Sequence, residues 1–377
     1  DAIGRAAKLL ANSKRPLISV GAGAQGASAE VTRLAELLEA PVFAYRSGQG
    51  VLDGRHRLSL SQLGAYHLWK ETDVVLGIGT RLQAPFDWGT DANLKIIHMD
   101  LNPERFGVTG TPDVKLEIDA AEGTTALIAA LEKILGKRAS RTDDVAAVRK
   151  TVAAQCAKLA PQRGYVDAIR RALPEDGILV NELTQIGYAN HLMWPAYKPR
   201  TFLSPGYQGT LGWGYGAALG AKVARPDVPV VSLSGDGGFM FGLQELATAV
   251  HHKIGVVALV FNDGAFGNVK RIQQMNYGGR TVAVDFTNPV GVFAFAPQAA
   301  LFRWTGDLAL AALWASAFYA AVVLALCATA AATVLLFALG LALRGFFTGD
   351  GFVAGSVVGG AAPVAAFTFF PVIKTML

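Results

Sequence analysis

The feature that most constrains this chain is a strand–loop–helix–strand pattern around the sequence GDGG at residues 235–238. Residues 228–234 form a short apolar run rich in β-branched side chains, which predicts a buried parallel strand. A helix is predicted over residues 243–250 and a second buried strand over residues 254–261. The carboxyl ends of the two strands then lie at the edge where open α/β sheets bind ligands.

Two side chains at these strand ends suit a metal site. Asp236 follows the first strand and Asn262 follows the second. Carboxylate and amide oxygens are hard donors of the kind that Mg²⁺ takes, and Mg²⁺ shares its coordination with water and phosphates. The glycines allow backbone N–H groups to approach those phosphates. The pattern therefore predicts a metal–phosphate site, and an ordinary nucleotide-binding turn is the alternative.

Residues 235–267 closely resemble the thiamine-diphosphate motif of the acetolactate synthase, pyruvate oxidase and benzoylformate decarboxylase superfamily. The resemblance implies that Asp236 and Asn262 bind the metal through their side chains, and Gly264 through its carbonyl. It also implies backbone contacts with the diphosphate from Gly235, Gly237 and Gly238. The expected reaction is cleavage of a small 2-keto acid such as pyruvate, with the cofactor as electron sink.

A glycine-rich segment at residues 206–221 also resembles this superfamily. The resemblance places the backbone of Gly209 and Thr210 against the aminopyrimidine of the cofactor. It places Leu211 under the cofactor, where a bulky apolar residue bends it, although an ordinary core leucine is the alternative. Gln185 is expected beside the diphosphate.

Residues 1–136 alternate strands with helices, which predicts a doubly wound parallel sheet. The sequences RPLISVGAGA, TDVVLGIGTR and KIIHMDLNPERFG resemble the central domain of thiamine-diphosphate enzymes. With residues 164–289 as an incomplete cofactor-binding domain, we predict an α/β chain of two doubly wound parallel-sheet domains. Residues 137–163, which begin with charged residues and continue with an Ala-rich helix, are predicted to be a linker.

The first predicted domain carries a second candidate site. Residues 21–26 read GAGAQG after a strand, so a dinucleotide-binding oxidoreductase is an alternative function. The acidic residue expected about 20 positions further on is absent, because residues 42–46 read VFAYR. The resemblance leaves FAD, ADP or no nucleotide open here, with Gly21, Gly23 and Arg81 as the positions that would contact one.

Composition excludes several classes of function. A net charge of +5 with scattered Lys and Arg does not indicate nucleic-acid binding. The two cysteines, Cys156 and Cys327, are too few for a disulfide framework or a metal site. The chain starts at Asp1 without a basic and apolar leader, so we expect no signal peptide and a cytoplasmic enzyme portion.

No catalytic residue is assigned from the sequence. The resemblance implies an activating glutamate on a separate pyrimidine-binding domain, contributed across the interface of a homodimer or homotetramer. No such domain precedes Asp1, and Glu182 and Glu245 lie in the diphosphate half, where they do not fill this role. We therefore expect this polypeptide alone to be a fragment that binds thiamine diphosphate weakly without turnover.

Residues 290–377 do not follow the superfamily pattern. Residues 308–343 contain no charged side chain, and residues 351–372 are apolar and rich in Gly and Ala. About 20 apolar residues span a bilayer, so these segments predict a transmembrane tail. A membrane-anchored, non-catalytic cofactor-binding module is therefore another alternative. The abrupt change between Pro289 and Val290 favours a frameshift or a mis-joined gene as the origin of the tail.

Overall fold

The computed structural model describes residues 1–282 and 284, with the exception of residues 109 and 207. All described residues belong to one compact unit. None of the helices in this described part combines the length and apolarity that a bilayer span needs. The tail predicted over residues 290–377, with its membrane spans, lies outside the described residues.

The first half of the chain is built on a six-stranded parallel sheet in the order β3-β2-β1-β4-β5-β6. Its strands are β1 (Pro16–Val20), β2 (Val42–Ala44), β3 (Ser59–Leu60), β4 (Val74–Ile78), β5 (Lys95–Asp100) and β6 (Val114–Glu117). Every residue of β1 and β4 is buried, as expected for central strands of a parallel sheet. The order of strands reverses between β1 and β4, which creates a topological switch point. The predicted α/β class with a parallel sheet is confirmed here.

Helices pack around this sheet through apolar faces. They are α1 (Ala2–Asn12), α2 (Ser28–Leu38), α3 (Gln62–Trp69), α4 (Ala84–Trp88) and α5 (Ala120–Leu131). Val31, Leu34 and Leu38 recur at helical spacing on α2 and are fully buried. Both α1 and α2 pack against α5, whereas α3 packs against β2.

The segment predicted to be a linker is attached along the first half. Its helix α6 spans Thr142–Cys156 and buries Val145 in the same core as the first sheet. The guanidinium groups of Arg138, Arg141 and Arg149 donate hydrogen bonds to backbone carbonyls of the first half, which belong to Ser13, Pro16 and Ser59 respectively. The predicted helix is confirmed, but the segment is fixed to the domain over much of its length.

The second half holds a four-stranded parallel sheet in the order β10-β9-β7-β8. Its strands are β7 (Ile178–Asn181), β8 (Phe202–Leu203), β9 (Val230–Gly235) and β10 (Val257–Phe261). Its helices are α7 (Gln162–Ala172), α8 (Gln185–Met193), α9 (Trp213–Ala224), α10 (Asp236–Gly242), α11 (Glu245–His251) and α12 (Gly267–Asn276). The order of strands reverses between β7 and β9, so this sheet also has a switch point.

The structure corrects the predicted elements around GDGG. The helix predicted over residues 243–250 corresponds to α11, but a further helix, α10, begins at Asp236 itself. The GDGG residues therefore end a strand and form the first turn of a helix, with almost no loop between them. The strand before them starts at Val230 because Pro229 has no N–H to donate to a sheet.

Two loops of the first half contact the second half. The Gln25 side-chain oxygen accepts a hydrogen bond of 2.8 Å from the backbone N–H of Arg200. The Arg46 guanidinium donates a hydrogen bond of 2.8 Å to the carbonyl of Gly206, in the predicted glycine-rich segment. The two sheets are thus joined by side chains as well as by the chain itself.

Candidate cofactor site

Asp236 is the first residue of α10 and is 4 % exposed. Its Oδ1 accepts a hydrogen bond of 2.8 Å from the N–H of Gly237, and its Oδ2 accepts one of 2.8 Å from the N–H of Gly264. Burial raises the pKa of this carboxyl, and the neighbouring charge of Asp263 raises it further. A divalent cation at this position would offset the unfavourable burial of the negative charge.

The side chains of Asn262 and Asp236 both accept a hydrogen bond from the N–H of Gly264. β10 ends at Phe261, and the Oδ1 of Asn262 accepts a hydrogen bond of 2.9 Å from the N–H of Gly264. Gly264 has φ +69°, a left-handed conformation that glycine adopts without strain. The three predicted metal residues are therefore brought together. Their carboxylate, amide and carbonyl oxygens fit a hard cation such as Mg²⁺.

The described residues contain no cluster of three or more His, Cys, Asp or Glu side chains of the kind that holds a metal ion. A site with a single carboxylate, one amide and one backbone carbonyl is outside that definition. The candidate site therefore rests on the convergence of Asp236 and Asn262, and on the chemistry of their oxygens.

Gln185, the first residue of α8, lies beside the loop that follows β10. A Cβ atom added to Gly267 would lie 3.8 Å from Gln185 Nε2 and 2.5 Å from Asp263 Oδ2. The structure thus places the predicted diphosphate-binding glutamine next to the predicted metal loop. Asp263 is a charged neighbour of this site that the sequence reasoning did not single out.

Close packing explains two of the three glycines predicted to contact the diphosphate. A Cβ atom on Gly238 would lie 2.5 Å from Glu182 Oε1, and one on Gly235 would lie 3.3 Å from Thr184 Oγ1. The N–H of Gly237 is the donor to Asp236 described above. The first turn of α10 therefore lies directly on residues that follow β7, and contacts with a diphosphate remain a prediction.

The predicted pyrimidine-binding residues lie in the loop before α9. Gly209 has φ +64°, a backbone conformation that favours glycine, and a Cβ atom there would lie 2.5 Å from Leu183 Cδ1. Thr210 is exposed. Leu211 is 40 % exposed, so it is not the core leucine that was the alternative interpretation.

Glu182 is a central residue of this region that the sequence reasoning set aside. It follows β7 and is fully buried. One of its oxygens accepts a hydrogen bond from the N–H of Gly212, and the other accepts one of 2.7 Å from Ser234 Oγ. The sequence signal that could have found it is a charged residue directly after a short apolar run, residues 178–180, which forms most of β7.

The glycine motif of the first half has a structural explanation. After β1 and β4, the two strand-end loops pack backbone to backbone, and Gly23 N–H donates a hydrogen bond of 2.9 Å to the carbonyl of Gly79. A Cβ atom on Gly21 would overlap the carbonyl of Gly79, and one on Gly23 would lie 2.8 Å from the Gly79 Cα. The GxGxxG spacing therefore gives no support for NAD, FAD or ADP at this position.

Comparison with protein-family models matches two stretches of the chain. Residues 3–127 match the central domain of thiamine pyrophosphate enzymes. Residues 184–308 match the C-terminal thiamine-pyrophosphate-binding domain of the same enzymes. Every residue predicted to bind thiamine diphosphate or its metal lies within the second match.

Similar proteins with curated names include synthases, decarboxylases and transferases. A probable acetolactate synthase large subunit of Methanococcus aeolicus is 32% identical over 314 residues, which covers 75% of this chain and 52% of that protein. A probable 2-ketoarginine decarboxylase of Pseudomonas aeruginosa is 33% identical over 278 residues, with 72% and 50% covered. A sulfoacetaldehyde acetyltransferase of Roseovarius nubinhibens is 30% identical over 348 residues, with 80% and 56% covered. The chain thus spans about half the length of these relatives.

Proposed function

Because this chain belongs to the thiamine pyrophosphate enzymes, we propose that its second sheet binds thiamine diphosphate through Mg²⁺. Asp236 and Asn262 would hold the ion through side-chain oxygens, and Gly264 through its carbonyl. One observation carries the proposal: both side chains converge on the N–H of Gly264, at 2.8 and 2.9 Å. Mg²⁺ retains coordination positions for water and phosphate oxygens beyond such a donor set.

The diphosphate would lie along the first turn of α10. Gly235, Gly237 and Gly238 would allow its oxygens to approach the backbone, and a helix N-terminus favours negative charge. Gln185 would donate from α8, and its position beside the loop at Gly267 supports this role.

The thiamine part would contact the loop before α9. Gly209 and Thr210 would contact the aminopyrimidine through backbone atoms, and Leu211 would lie under the cofactor and hold it bent. The exposure of the Leu211 side chain supports this assignment, because a leucine with 40 % of its surface accessible is available to contact a ligand.

We infer a 2-keto acid carboligase or decarboxylase of the acetolactate synthase type, with a small substrate such as pyruvate. When bound, thiamine diphosphate supplies an electron sink for breaking the bond beside the carbonyl of a 2-keto acid. The tasks of the chain itself are to clamp the diphosphate, orient the cofactor and exclude water. We expect the intact enzyme to work as a homodimer or homotetramer.

We expect the 377-residue polypeptide, when tested alone, to bind the cofactor without turnover. The activating glutamate is expected from a pyrimidine-binding domain, and both Glu182 and Glu245 are engaged elsewhere. Glu182 is buried and bonded to Gly212 and Ser234. Glu245 accepts a hydrogen bond from Thr248, within α11.

The first experiment is calorimetric titration of the 377-residue chain with thiamine diphosphate, in MgCl₂ and in EDTA. We expect Mg²⁺-dependent binding that Asp236→Ala weakens more than about 100-fold, since loss of even an outer partner of a metal ligand weakens a metal site 10- to 100-fold. Asn262→Ala should weaken it by a smaller factor, because an uncharged ligand is lost. Asp227→Ala is the matched control, since that exposed aspartate lies near the opposite end of β9. Equal binding by Asp236→Ala and the control, or binding that persists in EDTA, would contradict the proposal.

A further inference from the structure

The Glu182 carboxylate is buried at the switch point of the second sheet. It is fully buried, and the ion pairs found among the described residues do not include it. Burying a polar or charged group is unfavourable unless hydrogen bonds compensate for the lost water. The groups that compensate here therefore show which parts of the fold this side chain holds together.

Those groups come from two different elements. The Gly212 N–H, at the start of α9, donates to Oε1, and Ser234 Oγ, near the end of β9, donates to Oε2 at 2.7 Å. Two glycines make room for the carboxylate. A Cβ atom on Gly214 would lie 2.6 Å from Oε2, and one on Gly238 would lie 2.5 Å from Oε1. The carboxylate is thus enclosed by the first turns of α9 and α10.

The loop that Glu182 holds has an unusual backbone. Gly209 and Gly212 both have positive φ, at +64° and +82°. Glycines in this region have many accessible conformations, so an untethered loop would lose much conformational entropy on binding a ligand. The hydrogen bond that the Gly212 N–H donates to the buried carboxylate fixes one end of the loop before any ligand arrives.

We propose that Glu182 is a positioning residue that preorganises residues 208–212 to receive the thiamine part of thiamine diphosphate. This assignment rests on the function proposed above. Asp236 is held separately, by the N–H groups of Gly237 and Gly264. The two carboxylates therefore have different tasks: Asp236 acts on the metal and diphosphate, whereas Glu182 acts on the thiamine end through the loop.

This division predicts that two probes respond differently to substitution. Glu182→Ala should weaken the binding of thiamine diphosphate with MgCl₂ about 10-fold, because the released loop must then be ordered when the ligand binds. The binding of inorganic diphosphate with MgCl₂ should weaken by a smaller factor, because Asp236 and Asn262 are anchored at Gly264 and only Gly238 of its proposed contacts packs against Glu182. Asp236→Ala should weaken both probes.

The conservative variant Glu182→Gln should restore thiamine diphosphate binding to within a few-fold of the unchanged chain. Its amide oxygen can accept from Gly212, and its NH₂ group can donate to Ser234 Oγ. In the ligand-free chain, hydrogen–deuterium exchange of residues 208–212 should be faster in Glu182→Ala than in Glu182→Gln. If Glu182→Ala does not fold, Glu182→Asp replaces it, because its shorter side chain cannot reach both donors.

Each outcome decides between named alternatives. If Glu182→Ala weakens both probes equally, or Glu182→Gln fails to restore binding, Glu182 has only a general structural role and the assignment is wrong. If Glu182→Ala binds thiamine diphosphate normally, the assignment alone is overturned. If the unchanged chain binds no thiamine diphosphate in MgCl₂, the proposed function is overturned together with the assignment.

Discussion

Both parallel sheets have a switch point next to their first strand, but the two crevices are filled with different groups. In the first sheet, Gly21 and Gly23 pack directly against Gly79, so backbone closes the space after β1 and β4. In the second sheet, the space after β7 and β9 holds the buried carboxylates of Glu182 and Asp236. The same topology therefore gives a closed crevice in one sheet and a polar one in the other.

The difference shows what a glycine motif can mean at a strand end. At the first switch point, glycine is needed because another backbone lies against it. At the second, Gly214 and Gly238 are needed because a carboxylate lies against them. Topology locates a crevice, but the groups that line it decide whether a ligand can bind there.

The largest effect on stability should come from forcing a side chain into the closed crevice of the first sheet. Gly79 has φ +55°, and a Cβ atom there would lie 2.5 Å from the carbonyl carbon of Gly23. Gly79→Val combines a left-handed conformation that β-branched residues avoid with a backbone clash, so we expect a loss of about 3 kcal/mol or more in the free energy of unfolding. Urea unfolding followed by circular dichroism at pH 7 measures it.

Gly26→Ala is the control within the same motif. No atom lies within 4 Å of a Cβ atom built on Gly26, so its substitution should change the free energy of unfolding by less than about 0.5 kcal/mol. Similar stabilities for Gly79→Val and Gly26→Ala would mean that the first crevice is open, and a nucleotide would again have to be considered there.

A second comparison concerns one histidine from each half. Burial lowers the pKa of both His98 and His191. His98 has a hydrogen-bond partner, since its Nε2 lies 2.8 Å from the carbonyl of Thr80. His191 Nδ1 has no hydrogen-bond partner among the described residues, and burial together with the charge of Arg46 lowers the pKa of His191 to about 4.

His191 should make stability depend on pH. Between its usual pKa of 6.5 and about 4, the unfolded chain binds a proton at this residue and the folded chain does not. Stability is therefore greatest above pH 6.5 and falls as the pH is lowered towards 4, by up to about 3 kcal/mol. His191→Gln should remove this component, as measured by unfolding midpoints from pH 4 to 7.5.

The control for this measurement is His67→Gln, which changes an exposed histidine on α3. It should leave the pH dependence of the unfolding midpoint unchanged. If His191→Gln retains the full pH dependence of the original chain, the residue responsible lies elsewhere, and the burial of His191 does not limit acid stability.

Sequence patterns predicted the central parts of both sheets well. The strands β1, β4, β7 and β9 are buried on both faces, so their apolar runs are continuous and easy to detect. The edge strands β3 and β8 have two residues each and carry no detectable period, so they were missed. Asp236 and Asn262 were found because the ends of neighbouring parallel strands must meet.

Other features depend on tertiary contacts that sequence does not show. The GxGxxG spacing is the same whether a phosphate or another backbone approaches the glycines, and only the position of Gly79 decides between them. Glu182 was set aside because a lone glutamate gives no sign that Gly212 and Ser234 will donate to it from two distant segments. Long-range partners of a single side chain have no local signature.

The smallest effect should come from Gln25, a non-glycine position of the motif at residues 21–26. Its Oε1 accepts from Arg200 N–H at 2.8 Å, and its Nε2 donates to the carbonyls of Ser47 and Gln49 at 2.7 and 3.1 Å. Gln25→Ala should lower the free energy of unfolding by about 1 to 2 kcal/mol, and Gln25→Glu by more, because a carboxylate would face two carbonyl oxygens.

Gln155→Ala, at an exposed glutamine of α6, is the control in the same urea unfolding series. If Gln25→Ala and Gln155→Ala change the free energy of unfolding equally, the Gln25 side chain does not help to join the first half of the chain to the second. Its role must then be sought within the first sheet.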